Sequence, residues 1–238
     1  MDNIAAFWGE VWSYTGIVAS TPYEQVVDEK LTPGDVPEWF KGSRLNYAEN
    51  LLKFDDDHCA IIATGEAHEI KKMTYRELRV MVQKCAAAFR ASGVVKGDRI
   101  VGTPYVSFFI FIFLFLSGAC SLRTTSALPP HSLNTGYISN CIETIVIMLA
   151  TLSIGAIWSS TSPDFGITGV LERFVQIQPK IIFSVNAVNY NGKVHDHTGK
   201  LKSVINGLEK LEKIVVVNFV PSHKATYDGF KDQSVTSP

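Results

Sequence analysis

A chain of 238 residues that is 46% hydrophobic and 19% charged can bury a core, which excludes an intrinsically disordered segment. Its 22 basic and 23 acidic side chains give a formal net charge of −1, without the basic excess that nucleic-acid or anionic-membrane binding requires. The four cysteines, Cys59, Cys85, Cys120 and Cys141, are widely spaced and form no Cys-x-x-Cys pair. Reduced thiols in the cytosol are therefore expected rather than a disulfide framework or zinc knuckle, and Met1-Asp2-Asn3-Ile4 lacks the apolar core of a secretion signal.

The first stretch is rich in aromatics: Phe7, Trp8, Trp12, Tyr14, Tyr23, Trp39, Phe40 and Tyr47. Phe7, Trp8, Val11 and Trp12 stand at helical spacing before Pro33-Gly34 and Pro37 interrupt the pattern, so a helix followed by loops is expected. Asp55-Asp56-Asp57-His58 lacks the glycine and distal glutamate of a calcium loop and reads as an acidic surface turn. Ala60-Ile61-Ile62-Ala63 is a short strand, with a turn at Gly65 and a partner near residues 70–73. Thr74 followed by Glu77 has the spacing of a capping box, and Leu78, Val82, Cys85, Ala86 and Phe89 then fall on one helical face. Gly93 is a stop signal, and Lys96-Gly97-Asp98 turns into a strand at residues 99–101.

Regular patterning resumes at Asn140, read as an N-cap with Glu143 as its third-position acid, on a helix running through Ile145, Met148, Leu149 and Leu152 to Gly155. Strands near 156–159, 180–184 and 214–218 alternate with helices near 166–178 and 199–211. Alternation at this interval predicts β-α-β units, a mainly parallel sheet and helices on both faces. Asn191-Gly192 marks a turn, and the polar tail 232–238 reads as loose. His195-Asp196-His197 has no third ligand in view and reads as a solvated loop, so no metal site is expected; Arg173 reads as a surface ion-pair partner.

Residues 103–138 break the pattern. Their one formal charge is Arg123; they open with Phe108-Phe-Ile-Phe-Ile-Phe-Leu-Phe-Leu116 and pass into a Ser/Thr/Pro-rich stretch with Pro129-Pro130. The interruption falls between a strand and its following helix, where connections usually take about two to six residues. Three readings stay open: a membrane segment through residues 108–116, a lid loop, or in-frame inclusion of sequence not normally translated. A spanning helix needs about 20 apolar residues, and the uncharged run 100–122 is broken by Gly102, Pro104 and Gly118. Phe, Leu, Ser and Ile are what a pyrimidine-rich transcript encodes, which favours the third reading. The uncharged, proline-free Phe-rich run also predicts poor solubility.

Three passages carry a family likeness. Trp39-Phe40-Lys41-Gly42-Ser43-Arg44-Leu45-Asn46-Tyr47-Ala48-Glu49-Asn50 resembles the N-terminal signature of short-chain acyl-CoA synthetases. Met73-Thr74-Tyr75-Arg76-Glu77-Leu78 and Leu152-Ser153-Ile154-Gly155-Ala156-Ile157-Trp158-Ser159-Ser160 resemble the first two core motifs of adenylate-forming enzymes. The likeness spans about residues 7–102 and 140–238, and the insert has no counterpart in it. The resemblance implies an α/β fold that is a partial adenylate-forming domain. Residues 1–58 are then an N-terminal extension, and residues 59–238 the first part of an AMP-binding domain, interrupted at 103–138.

Within the family, Trp158-Ser-Ser-Thr-Ser-Pro-Asp-Phe165 departs from the His-Ser and Gly-Gly pairs usual in the acetate-activating members and looks like the acetoacetate-activating branch. The resemblance implies a cytosolic acid–thiol ligase that serves lipid synthesis. It joins acetoacetate to CoA through an acyl-adenylate, with ATP and Mg²⁺ as the full-length family's requirements. It places Ser162, Pro163 and Asp164 facing CoA; structurally the same three residues read as a loop and helix N-cap. Phosphate cradling needs a Ser/Thr/Gly loop followed by Lys, and neither that, a Walker loop nor Gly-x-Gly-x-x-Gly occurs. In the family these elements lie further along a longer chain. No catalytic residue is therefore assigned, and the chain alone is expected to be inactive; a CoA- or partner-binding fragment and a membrane-tethered variant are the alternatives.

Overall fold

The computed structural model describes residues 3–65, 68–102, 141–161, 166–224, 226–227 and 235–236. They divide into two compact units, Met1–Phe54 and Asp55–Pro238.

In the first unit, helix α1 spans Ile4–Thr15 and ends on Gly16 at φ +60°, whose N–H reaches back to the Ser13 and Trp12 carbonyls. No α1 residue is fully buried, so its apolar stripe works through aromatic contacts. Trp12 lies on Phe40 with ring centroids 4.6 Å apart and meets Tyr23 edge-on at 5.2 Å, while Trp8 meets Trp39 edge-on at 6.1 Å. Isolated antiparallel bridges pair Thr21 with Arg44 and Gln25 with Lys41. Helix α2 spans Tyr47–Leu51. Its geometry gives the Leu-Asn-Tyr-Ala-x-Asn motif a physical meaning. Asn46 caps the helix by accepting from Glu49 N at 3.2 Å, and Ala48 is fully buried. The buried Asn50 side chain bonds both the N–H and the C=O of Val18, each at 2.8 Å.

The second unit opens with strands β1, Cys59–Gly65, and β2, His68–Thr74, paired antiparallel. Helix α3, Tyr75–Ala91, starts with the predicted capping box: Glu77 N donates to Thr74 Oγ1 at 3.2 Å and Thr74 N to Glu77 Oε2 at 2.8 Å. Leu78, Val82, Ala86 and Phe89 are buried as expected, Cys85 half-buried, and Gly93 adopts φ +76° just past the helix. The acidic turn is exposed: Asp57 pairs with Arg76 at 2.9 Å and Asp56 with His58 at 3.2 Å.

Strand β3 is Arg99–Gly102, α4 Ile142–Ser153, β4 Ile157–Ser160, α5 Ile167–Ile177 and β5 Ile181–Val185. Then come the hairpin β6, Ala187–Tyr190, and β7, Lys193–Asp196, helix α6, Thr198–Asn206, β8, Lys213–Val217, and β9, Val235–Thr236. The sheet order is β4-β3-β5-β8-β9 with every pairing parallel. All five residues of β5 are buried, so both faces are covered. Ile182 joins Val101, Ile214 and Val216 in a core with Val170 and Phe174 of α5 and Leu201, Val204 and Ile205 of α6. Phe183, of opposite parity, meets Phe89 of α3 at 5.8 Å, and α3 packs against α4.

Several expectations change. The cap of α4 is Cys141, and it makes no side-chain cap bond; Asn140 lies outside the described residues. Ile142, Val146, Ile147, Leu149 and Ala150 are buried in α4, whereas Ile145, Met148 and Leu152 are half-buried. Helix α6 ends at Asn206 because Gly207 follows, yet Leu208 and Leu211 still reach the core. The cap of α5 is Gly166, without a side-chain bond, and not the Ser162-Pro163-Asp164 stretch. Val235 and Thr236 of the supposedly loose tail pair with Ile214 and Val215. The insert 103–138, with its Phe-rich run, lies outside the described residues. Among the described residues no helix is long and apolar enough to cross a membrane.

Candidate functional site at the carboxyl edge of the parallel sheet

In an open parallel sheet ligands approach the carboxyl ends of the strands. Here the register aligns Gly102 with Ser160 and with Phe183, and Val185 with Val217, so these residues, with Thr161, Asn186 and Asn218 after them, mark that edge among the described residues. The opposite edge is fixed by Lys180, whose Nζ donates to Gly93 O at 2.8 Å and meets Asp98 Oδ2 at 3.0 Å. Burial pushes the Asp98 carboxyl up, but the Val95 N–H and Lys180 outweigh it and hold it below the usual carboxylate range.

At the carboxyl edge, Trp158 lies over Gly102: a Cβ there would fall 2.3 Å from the indole Cη2. The strand glycine is thus a close-approach position. Thr161, at the exit of β4, is buried, and its Oγ1 has no hydrogen-bond partner among the described residues. The next residues, Ser162, Pro163 and Asp164, lie outside the described residues.

The exits of β5 and β8 carry a polar cluster. Asn186, buried at 2% exposure, donates through Nδ2 to Asn218 Oδ1 at 2.9 Å, Val220 O at 2.8 Å and His223 O at 3.1 Å, and accepts from Val220 N at 3.1 Å. Asp196 Oδ1 accepts from Thr198 N at 2.6 Å and from the Thr198 hydroxyl; its Oδ2 lies 2.8 Å from His223 Nε2. Burial pushes the Asp196 carboxyl up, but Thr198 and His223 more than compensate and hold it below the ordinary range. His197 is 1% exposed; burial, with Lys200 and His195 nearby and Asp196 opposing, lowers its pKa to about 4, so it is neutral at pH 7.

His195 and Asp196 are solvent-exposed as expected, but the loop reading of His195-Asp196-His197 is corrected, and His197 is buried. Asn191 and Gly192, at φ +50° and +68°, form the two-residue turn of hairpin β6–β7. His195 and Asp196 are strand residues, and His197 is the buried cap of α6. Asn-Gly after alternating Val188 and Tyr190 was the available hairpin signal. Nothing in the sequence marked Asn186, because its partners stand more than thirty positions away. Arg173 donates to Gly169 O within α5 at 2.8 Å.

Among the described residues no group of three or more His, Cys, Asp or Glu is arranged to hold a metal. Cys59, Cys85 and Cys141 are free thiols, and burial pushes Cys85 up to about 11 and Cys141 up to about 12.

Residues 1–51 match the family described as acetyl-coenzyme A synthetase N-terminus. The chain is 49% identical over 226 residues to acetoacetyl-CoA synthetase of Gallus gallus, covering 94% of this chain and 29% of that protein. It is 34% identical to a malonamoyl-CoA synthetase of Penicillium aethiopicum, covering 95% of this chain and again 29% of the relative. The solved acetoacetyl-CoA synthetase of Streptomyces lividans superposes with a TM-score of 0.72 at 30% identity, over 95% of this chain and 30% of that one. Sequence and fold match the N-terminal part of acetoacetyl-CoA synthetases. The parallel α/β architecture is accordingly that of a partial adenylate-forming domain, and the chain spans less than a third of the length of these acetoacetyl-CoA synthetase relatives.

Proposed function

We propose that this chain is the front segment of an ATP-dependent acid–thiol ligase that joins acetoacetate to CoA through an acyl-adenylate, and that alone it is catalytically incomplete. The observation carrying the reading is the 49% identity to acetoacetyl-CoA synthetase along nearly the whole chain, against 34% to the malonamoyl-CoA relative. Acetoacetate is therefore the acid favoured. ATP, CoA and Mg²⁺ are the full-length ligase's requirements. The described residues do not fit ATP or Mg²⁺: the sequence has no phosphate-cradling loop followed by Lys, and no described acidic cluster stands ready for a cation. What this chain's residues do is build the sheet and shape its carboxyl edge. Ser162, Pro163 and Asp164, directly after buried Thr161, are proposed to face CoA. A cytosolic setting and service to lipid synthesis belong to the same proposal.

The test is acetoacetate-dependent pyrophosphate release by the pure chain with ATP, Mg²⁺ and CoA. No release above a heat-treated control is expected; turnover would refute incompleteness. A second reading, a CoA-binding fragment without catalysis, rests on the aligned carboxyl ends of β3, β4, β5 and β8. Titration calorimetry with CoA decides it: heat that is lost in Ser162→Ala/Asp164→Ala supports it, and no heat removes it.

A further inference from the structure

Asn-Gly occurs twice in the sequence, at Asn191-Gly192 and at Asn206-Gly207. This dipeptide can react with itself. The glycine N attacks the asparagine side-chain carbonyl, because no Cβ stands in the way. A new N–Cγ bond closes a succinimide ring, the Cγ–Nδ2 bond breaks, and ammonia leaves with the glycine's proton. Water then opens the ring at either carbonyl, giving aspartate or isoaspartate. The step needs a glycine N–H without an acceptor and a backbone able to turn toward the carboxamide.

All four residues are exposed, so solvent access does not separate the two pairs. The backbone does. Among the described residues neither the Asn191 carboxamide nor the Gly192 N–H has a hydrogen-bond partner, and a Cβ on Gly192 would meet nothing within 4 Å. The flanking strands are four residues each and β7 is exposed throughout, so this turn opens at low cost. Asn206, in contrast, is the last residue of α6. Gly207 N donates to Val204 O at 3.0 Å and Leu208 N to Ile205 O at 3.1 Å. A Cβ on Gly207 would fall 2.6 Å from Leu171 Cδ2, and Leu208 is part of the core, so turning the backbone there strips packed side chains.

We propose that Asn191 is a site of spontaneous deamidation to aspartate and isoaspartate, and that the fold protects its twin, Asn206. Isoaspartate at 191 adds one carbon to the backbone of a two-residue turn, so the Tyr190–Lys193 pairing loses its register. Strand β7 carries the disturbance to Asp196, which holds Thr198 and His223 at the carboxyl edge.

Ageing of the intact chain at neutral pH, native and in concentrated urea, tests it. Peptide mass spectrometry with chromatographic separation of isoaspartate counts the gain of one mass unit and the isomer at each pair. In the native chain, product at 191 is expected to form at least about tenfold faster than at 206. In urea the two rates should converge, because the dipeptides are identical. Gly192→Ala should slow the reaction at 191 in urea and leave 206 unchanged. Equal native rates, or 206 ahead, would overturn the proposal. So would a rate at 191 that urea raises as strongly as it raises the rate at 206, or one that Gly192→Ala leaves unchanged. Both sites lie in one molecule, so the native comparison needs no variant to fold.

Discussion

Gly102→Ala is the sharpest structural prediction. The new Cβ would stand 2.3 Å from Trp158 Cη2 and 2.9 Å from Cζ2, and these are atoms of a rigid ring. Ordinary contact starts near 3.4 Å, so ring or strand must move by about an ångström, and overpacking of that kind costs about 1–3 kcal/mol. Replacing a strand glycine returns about 0.5–1 kcal/mol through backbone entropy. A net loss of up to about 2.5 kcal/mol follows. Urea unfolding read by far-ultraviolet circular dichroism measures it. The cause is isolated by a double-mutant cycle with Trp158→Ala. Without the indole the clash disappears, so Gly102→Ala should become neutral or slightly stabilising, with a coupling of about 1–3 kcal/mol, the full overpacking cost, in the restoring direction. If Gly102→Ala is equally destabilising in both backgrounds, the close approach is not the reason for the glycine.

Stability should also fall in acid through His197. The folded state resists protonation until about pH 4, whereas the unfolded histidine takes a proton below its model value of 6.5. The contribution is therefore complete above about pH 6.5 and is lost as pH falls toward 4, amounting to roughly 3 kcal/mol at most. His197→Gln should flatten that part of the pH–stability curve; an unchanged slope would clear His197. Removing the α3 cap with Thr74→Ala should cost about 1 kcal/mol in the same unfolding assay, and adding Glu77→Ala should cost less than a second independent increment because the two bonds are reciprocal. Among the described thiols, Cys85 and Cys141 should react with a thiol reagent at pH 8 far more slowly than Cys59, since burial suppresses their thiolates. Fast labelling of Cys141 in the folded chain would contradict its burial.

Local grammar was legible in the sequence. The Thr74–Glu77 box, the α3 stripe and the strand–helix alternation each depend on neighbours a few residues apart, and each is found in the structure. The α4 start was misread because the side chain of the actual cap, Cys141, makes no cap bond, so the polar Asn140 looked the better candidate. The hairpin after β5 was hidden because Val188, Tyr190 and Val194 are only half-buried or exposed, and their alternation was too short to outweigh the polar His195-Asp196-His197 run. The carboxyl-edge cluster was not legible at all. Asn186, Asp196 and His223 come together through parallel pairing of β5 with β8, and no short-range pattern encodes that meeting. The family motifs were legible as strings, but their roles were not: Asn50 reads as a signature letter until its side chain is seen closing on both backbone groups of Val18.

The proposed origin of this chain, the front of an acetoacetate-activating ligase, makes a quantitative demand on the longer polypeptide. Pyrophosphate release by the polypeptide extended to the length of its relatives, with acetoacetate, acetate and malonamate compared side by side, tests it most directly. Turnover by the extended chain is expected, with acetoacetate preferred by at least about tenfold, and none by these 238 residues alone. Preference for acetate or malonamate, or turnover by the short chain, would contradict it.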